Sequence, residues 1–236
     1  MAYILGGIII LIAAFVQGAT SFGFSLIALP LLGLIFELKV IVPALVAYSI
    51  LLNLIILIRL KVYPNLKELA ILGFFAVLFI PLGVNLLIFV DEQILKLSVS
   101  VLLIVIALLM LSGKTFNIKK RTFAYAVAGI LSGLLNGAVS LSGPPVVVLL
   151  ANENRNKNDF RASLTLLFFL LNIVTIFLYV KKGLFLEPDL INMMFLTPLM
   201  IIGTFLGIHF GNRIDEVKFK RLVLILLIVM GIANLF

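Results

Sequence analysis

Apolar residues run along this chain in long blocks that charged residues interrupt only briefly. The charge-free runs are Ala2–Phe36, Val40–Ile58, Leu69–Val90, Leu97–Gly113, Thr122–Asn152, Ala162–Val180, Leu190–Asn212 and Leu222–Phe236. A bilayer core about 30 Å thick takes about 20 apolar residues of helix to cross. Most of these runs have roughly that length once a lysine or arginine at one end snorkels. Two do not: Ala2–Phe36 and Thr122–Asn152 are too long for one helix and too short for two.

Both odd runs are interrupted in the middle. The first contains Gln17-Gly18-Ala19-Thr20-Ser21-Phe22-Gly23, and the second Asn136-Gly137-Ala138-Val139-Ser140-Leu141-Ser142-Gly143-Pro144-Pro145. Glycine loosens a helix; proline removes a donor and clashes with the preceding turn. The pattern predicts two arms in each run, each of about 13 residues and about 20 Å, too short to span. The second arms should begin near Thr20–Gly23 and Ser142–Pro145.

The chain also resembles itself. Gln17-Gly18-Ala19 recurs as Asn136-Gly137-Ala138, and Leu51-Leu52-Asn53 as Leu170-Leu171-Asn172, both at an offset of 119. Leu82-Gly83 recurs as Leu206-Gly207 and Asp91-Glu92 as Asp215-Glu216, at 124. Polar and glycine positions holding order this way predict a duplication, with halves 1–113 and 122–236.

Charge decides how the odd runs are threaded. If both cross the membrane, the 18 lysines and arginines divide evenly between the faces. If both return to their own side, one face keeps only Lys39, Lys96, Lys181 and Lys182, and all the others share the opposite face. The positive-inside rule favours the second arrangement. Each half then crosses three times, the halves are inverted, and both termini lie outside. The expected fold is an all-α, multi-pass integral membrane protein of two inverted repeats in the plasma (inner) membrane. Each repeat is a broken, re-entrant hairpin plus three transmembrane helices.

Composition narrows the function. The chain is 64% apolar and 12% charged, against about 45–50% and about 25% in soluble domains. A soluble enzyme, a disulfide module and a disordered chain are thereby excluded. The net charge of +8 reflects basic membrane loops, so no nucleic-acid partner is expected. There are no cysteines and one histidine, His209. No carboxylate pair, nucleophile elbow, phosphate loop or metal cluster is evident, so neither an enzyme nor a cofactor is expected. His209 fits an interfacial or pore-facing polar side chain better than a proton relay.

The breaks are the candidate site. Unwound backbone at membrane depth must be satisfied by protein or line a polar cavity. Two half-helix N-termini aimed at the breaks favour an anion. Gln17, Thr20, Ser21, Asn136, Ser140 and Ser142 add amides and hydroxyls, and Gly18, Gly23, Gly137, Gly143 and Pro144 shape the backbone. Asn53 and Asn172, each in an apolar helix, face either the cavity or a helix interface. Asp159 is read as the N-cap of the next helix. Arg161, one turn inside it, is read either as a topology-setting charge or as reaching the substrate path; the second is preferred.

The stretch from Gln17 through Gly23 to Pro30 resembles the first signature of the sulfite exporter TauE/SafE family, grouped with toluene-sulfonate uptake permeases. Gly133-Leu134-Leu135-Asn136-Gly137 through Ser142-Gly143-Pro144-Pro145, with Phe160-Arg161-Ala162, resembles the second. The matching positions are Gln17, Gly18, Gly23 and Pro30, then Gly137, Gly143, Pro144 and Arg161. Ala138-Val139-Ser140-Leu141 is bulkier than the family pattern. The resemblance implies movement of sulfite, sulfonates or related sulfur-containing anions. The expectation is a secondary transporter of a small anion, with the coupling ion, proton or sodium, left open. The deep segments hold no Asp, Glu or Lys, which disfavours a carboxylate proton relay and leaves room for a sodium site of carbonyls and hydroxyls. The alternatives are an anion channel and a non-transporting membrane subunit.

Overall fold

The computed structural model describes residues 2–62, 64–95, 97–98, 101, 105, 121–153, 155–185, 194–215, 218 and 225. The helices with described bounds are α1 (Ala2–Thr20), α2 (Phe24–Leu32), α3 (Leu38–Leu60), α4 (Leu66–Phe89), α5 (Arg121–Val139), α6 (Gly143–Asn152), α7 (Lys157–Lys181) and α8 (Thr197–Arg213). No strand occurs among the described residues. Five helices, α1, α3, α4, α5 and α7, are long and apolar enough to cross a membrane. Large apolar side chains such as Phe74, Leu78, Phe89 and Phe177 face outward, as a lipid-facing surface requires.

Both predicted breaks are present, but shorter and less central than the sequence suggested. The first spans Ser21–Gly23 and the second Ser140–Ser142. The arms are therefore unequal. α1 and α5 each have 19 residues, about 28 Å of helix, whereas α2 has 9 and α6 has 10. Gly18 and Gly137 stay helical, and each is a glycine where a neighbouring backbone comes close. A Cβ on Gly18 would meet the Thr204 carbonyl, and one on Gly137 the Ile80 carbonyl. Pro144 and Pro145 do not break a helix either; they fill the first turn of α6, where a missing N–H costs little.

The ends of each broken run meet. Tyr3 and Phe36 place their ring centroids 5.8 Å apart. Arg121 Nε donates to Glu153 Oε1 at 3.0 Å. Each run thus leaves and returns at one end of the bundle. The boundaries also recur at the predicted spacing: α5 starts and ends 119 residues after α1, and α6 and α7 start 119 residues after α2 and α3.

α4 lies along α5, and α1 along α8; these are the largest helix pairings. Glycine stripes make both possible. Gly129, Gly133 and Gly137 sit against the α4 backbone at Leu72, Ala76 and Ile80, and Gly203, Gly207 and Gly211 against the α1 backbone at Leu11, Phe15 and Ala19. Spacing of four residues keeps each stripe on one face, as small-residue helix contacts in membranes do. α3 and α7 pack on each other between these pairs.

One end of the bundle is held by ion pairs. Arg155 reaches Glu68, Glu153 at 2.7 Å and Asp159 at 3.2 Å, and Arg121 reaches Glu68 at 3.0 Å. Burial opposes ionisation of Glu153, yet hydrogen bonds from Arg121, Arg155 and Tyr125 outweigh it and hold its carboxyl below the usual range. Asp159 is not the cap of α7: Asn156, in extended conformation, accepts from the Asp159 N–H at 2.8 Å. The helix begins two residues before Asp159, which leaves its carboxylate for Arg155.

Gly133→Ala should lower the thermal midpoint of the purified protein, at a cost of about 1–3 kcal/mol, because the added Cβ meets the Ala76 backbone. Gly73→Ala, whose Cβ meets only the tip of Leu167, should be neutral or stabilising, since alanine is the better helix former.

Candidate functional site

The two breaks meet inside the bundle. Ser25, in the first turn of α2, and Ser140, in the second break, bring their hydroxyls to 3.1 Å. Beside them lies a small cavity whose walls include Gln17, Gly23, Asn53, Ser140, Ser142, Gly143 and Asn172. It has room for roughly two waters or one compact ion.

The first break is built around Gln17. Its Oε1 accepts from the Phe24 N–H at 3.2 Å, which caps the start of α2. A backbone N–H only donates, so the orientation of this amide is settled. Its Nε2 therefore donates, to Asn53 Oδ1 at 2.9 Å. That in turn leaves Asn53 Nδ2, fully buried, with no partner. The chain of bonds ends in a free donor on a residue of the cavity wall. Gly23, at φ 102°, makes the turn into α2; a Cβ would be strained there.

The second break differs in detail. Ser140 takes φ 59°, as Ser21 takes 69° in the first. Leu141 N–H reaches back to the Leu135 carbonyl at 3.2 Å, and Ser132 Oγ donates to the Ser142 carbonyl at 2.9 Å. The chain thus doubles back along α5 before α6 begins. Of the first three residues of α6, only Gly143 has an N–H, because Pro144 and Pro145 lack one. The dipole end remains, with fewer donors than the sequence pattern suggests.

The carbonyls at the ends of both long arms are capped from α7. Arg161 Nη2 donates to the Gly18 carbonyl at 2.8 Å, and Tyr179 Oη to the Gly137 carbonyl at 2.7 Å. Arg161 also reaches Ser21 Oγ at 3.3 Å and Asn212 Oδ1 at 2.9 Å, and its side chain is fully buried. No carboxylate partner of Arg161 occurs among the described residues. Its position in the first turns of α7, unfavourable for that helix, is favourable for the C-terminal end of α1.

The structure therefore divides the candidate residues. Gln17, Gly23, Asn53, Ser140, Ser142, Gly143 and Asn172 line the cavity. Gly18, Thr20, Ser21, Asn136, Gly137, Pro144 and Arg161 stand behind the walls and shape the breaks. The Thr20 hydroxyl, for instance, turns back to the Val16 and Phe22 carbonyls at 2.8 and 2.7 Å. His209 is exposed on the outside of α8, away from these walls. Ser25, Ser49 and Phe168 also line the cavity. Ser49 was legible in principle: it stands four residues before Asn53, on the same face of α3.

No curated protein and no solved structure matches this chain. The family model described as sulfite exporter TauE/SafE matches residues 6–234. With nearly the whole chain covered, including both breaks, the protein belongs to the sulfite exporter TauE/SafE family of multi-pass membrane transporters.

Proposed function

We propose that this protein is a secondary transporter of a small sulfur-containing anion such as sulfite or a compact sulfonate, bound in the cavity where the two breaks meet. The observation that carries this reading is the Asn53 amide. Its Nδ2 is a buried donor without a partner, held in that sense by a chain of bonds that begins at a backbone N–H. An anion seated in the cavity would accept from it. The hydroxyls of Ser25, Ser49, Ser140 and Ser142 and the N-terminal ends of α2 and α6 supply further positive potential. Thr20, Ser21, Gly18, Gly137 and Arg161 act on the anion through the shape of the breaks.

Size narrows the substrate. A cavity with room for roughly two waters suits a compact tetrahedral or pyramidal oxyanion. Residues 1–113 and 122–236 are two inverted halves that rock about this site in the plasma membrane. The recurrence of the helix bounds at 119 and the return of both broken runs to their own end support that arrangement.

Proteoliposome uptake of radiolabelled sulfite tests the site. Wild-type flux should saturate and be stimulated by sulfite on the opposite side. Asn53→Leu should lower it by about 10–100-fold, the worth of a hydrogen bond to a charged group. His209→Leu, on the outer surface, should stay near wild type. Equal flux in wild type and Asn53→Leu would remove the site from this reading.

Topology is tested separately in this cysteine-free chain. Single cysteines at Lys39 and Lys157 should react with impermeant maleimide from opposite sides, Lys39 from outside. Labelling from one side only would show that a broken run crosses the membrane.

A further inference from the structure

The two broken runs touch through a pair of hydroxyls. Ser25 Oγ, in the first turn of α2, and Ser140 Oγ, in the second break, lie 3.1 Å apart, and either can donate. Ser25 is 7% exposed and Ser140 6%, and both line the cavity. Among the described residues neither hydroxyl has another hydrogen-bond partner. Other buried hydroxyls are satisfied within their own helix. Thr165, Thr175 and Thr204 each donate to the carbonyl four residues earlier, at 2.7, 2.9 and 2.7 Å. Ser25 and Ser140 instead meet across the seam between the two runs.

That seam is thin. α2 packs on α1 and α3, and α6 on α5 and α7, with at most marginal contact between the two short helices. Between residues 17–25 and residues 136–145 the serine pair is the only hydrogen bond among the described residues. A hydroxyl carries one donor and two acceptor sites. The mutual bond uses one proton of the pair and leaves the other without a partner. An oxyanion that enters between the serines accepts from both. One neutral hydrogen bond is then exchanged for two charge-assisted ones, each roughly twice as strong. Without an anion, the mutual bond leaves fewer buried polar groups unserved, so the cavity can stand closed while empty.

We propose that Ser25 and Ser140 form a latch operated by the substrate. Their mutual bond joins the two broken runs when the cavity is empty, and a compact oxyanion replaces that bond by accepting from both hydroxyls. Ser25, which the spacing of the breaks did not single out, is thereby a binding residue. The latch ties binding to motion, because a ligand that parts the serines frees the two short helices from each other. Opening by an anion rests on the anion-transport reading; the closed pair does not.

Equilibrium binding of radiolabelled sulfite to the purified full chain tests the exchange in wild type, Ser25→Ala, Ser140→Gly and the double variant. Glycine removes the hydroxyl and suits the φ of 59° at Ser140. Each single variant loses one bond to the anion but also relieves the empty state of the mutual bond, so affinity should fall by only about fivefold. The second loss has no such offset. The double variant should fall by about 150-fold, well beyond the product of about 25-fold expected of independent sites. Losses that simply multiply, or single variants that bind as wild type does, overturn the latch.

A second measurement needs no anion. The chain has no cysteines, so Ser25→Cys combined with Ser140→Cys supplies its only two thiols. Under copper phenanthroline they should give two protons to solvent and two electrons to two copper(II) ions and form one sulfur–sulfur bond, read as loss of labelling by a maleimide polymer. Thiols that stay free would overturn the closed pair. A disulfide in this variant, with no sulfite binding by the wild type, keeps the closed pair and removes the anion reading instead.

Discussion

A helix interrupted inside an apolar bundle leaves carbonyls and N–H groups with no water to satisfy them, and each such group must find a partner in the protein. The rest of this structure follows from how that requirement is met at two places. At the ends of the long arms, α7 supplies the donors: Arg161 to the Gly18 carbonyl and Tyr179 to the Gly137 carbonyl. At the start of α2 the acceptor is Gln17 Oε1. At the second break Ser132 and the Leu135 carbonyl do similar service. α7 thereby touches both breaks, and its packing on α3 brings Asn53 and Asn172 to the same cavity.

The same constraint governs charge. Arg161 places a cation deep in the bundle without a carboxylate partner among the described residues. The carbonyl end of α1, equivalent to about half a negative charge, takes that place. Lys157 acts likewise on α8, donating to the carbonyls of Gly211 and Ile214 at 3.2 and 2.5 Å. Cations at the start of α7 thus serve the ends of its neighbours. Three carboxylates, Glu68, Glu153 and Asp159, are kept at one end of the bundle, where they pair with Arg121 and Arg155. The cavity is left with neutral polar groups, and the polarity of Gln17 and Asn53 is set by the bonds behind them.

Much of this was legible in the residues. Two runs of the wrong length located the breaks, and glycine, serine and proline located the starts of α2 and α6 to within a few residues. The length of the long arms was not legible, because Gly18 and Gly137 look like breakers until the backbones of α8 and α4 are seen against them. Asp159 was read as a cap because the helix start is set by Asn156, whose extended backbone no composition rule separates from its neighbours. The candidate residues divided evenly for a related reason. A helix break puts polar residues together in sequence, but whether each faces inward depends on the sharp reversal at Ser21–Gly23 and Ser140–Ser142. Arg161 stood out as a charge in an apolar segment; only the fold shows that it meets a carbonyl and a hydroxyl before it meets the cavity.

On the proposed reading the two breaks close around an anion. Anomalous diffraction from crystals grown in lipid with selenite, a heavier analogue of sulfite, tests it most directly. One selenium peak is expected in the cavity, within hydrogen-bond reach of Asn53 Nδ2 and the Ser140 hydroxyl. Selenium confined to the basic end of the bundle near Arg121 and Arg155, with none between the breaks, would contradict it.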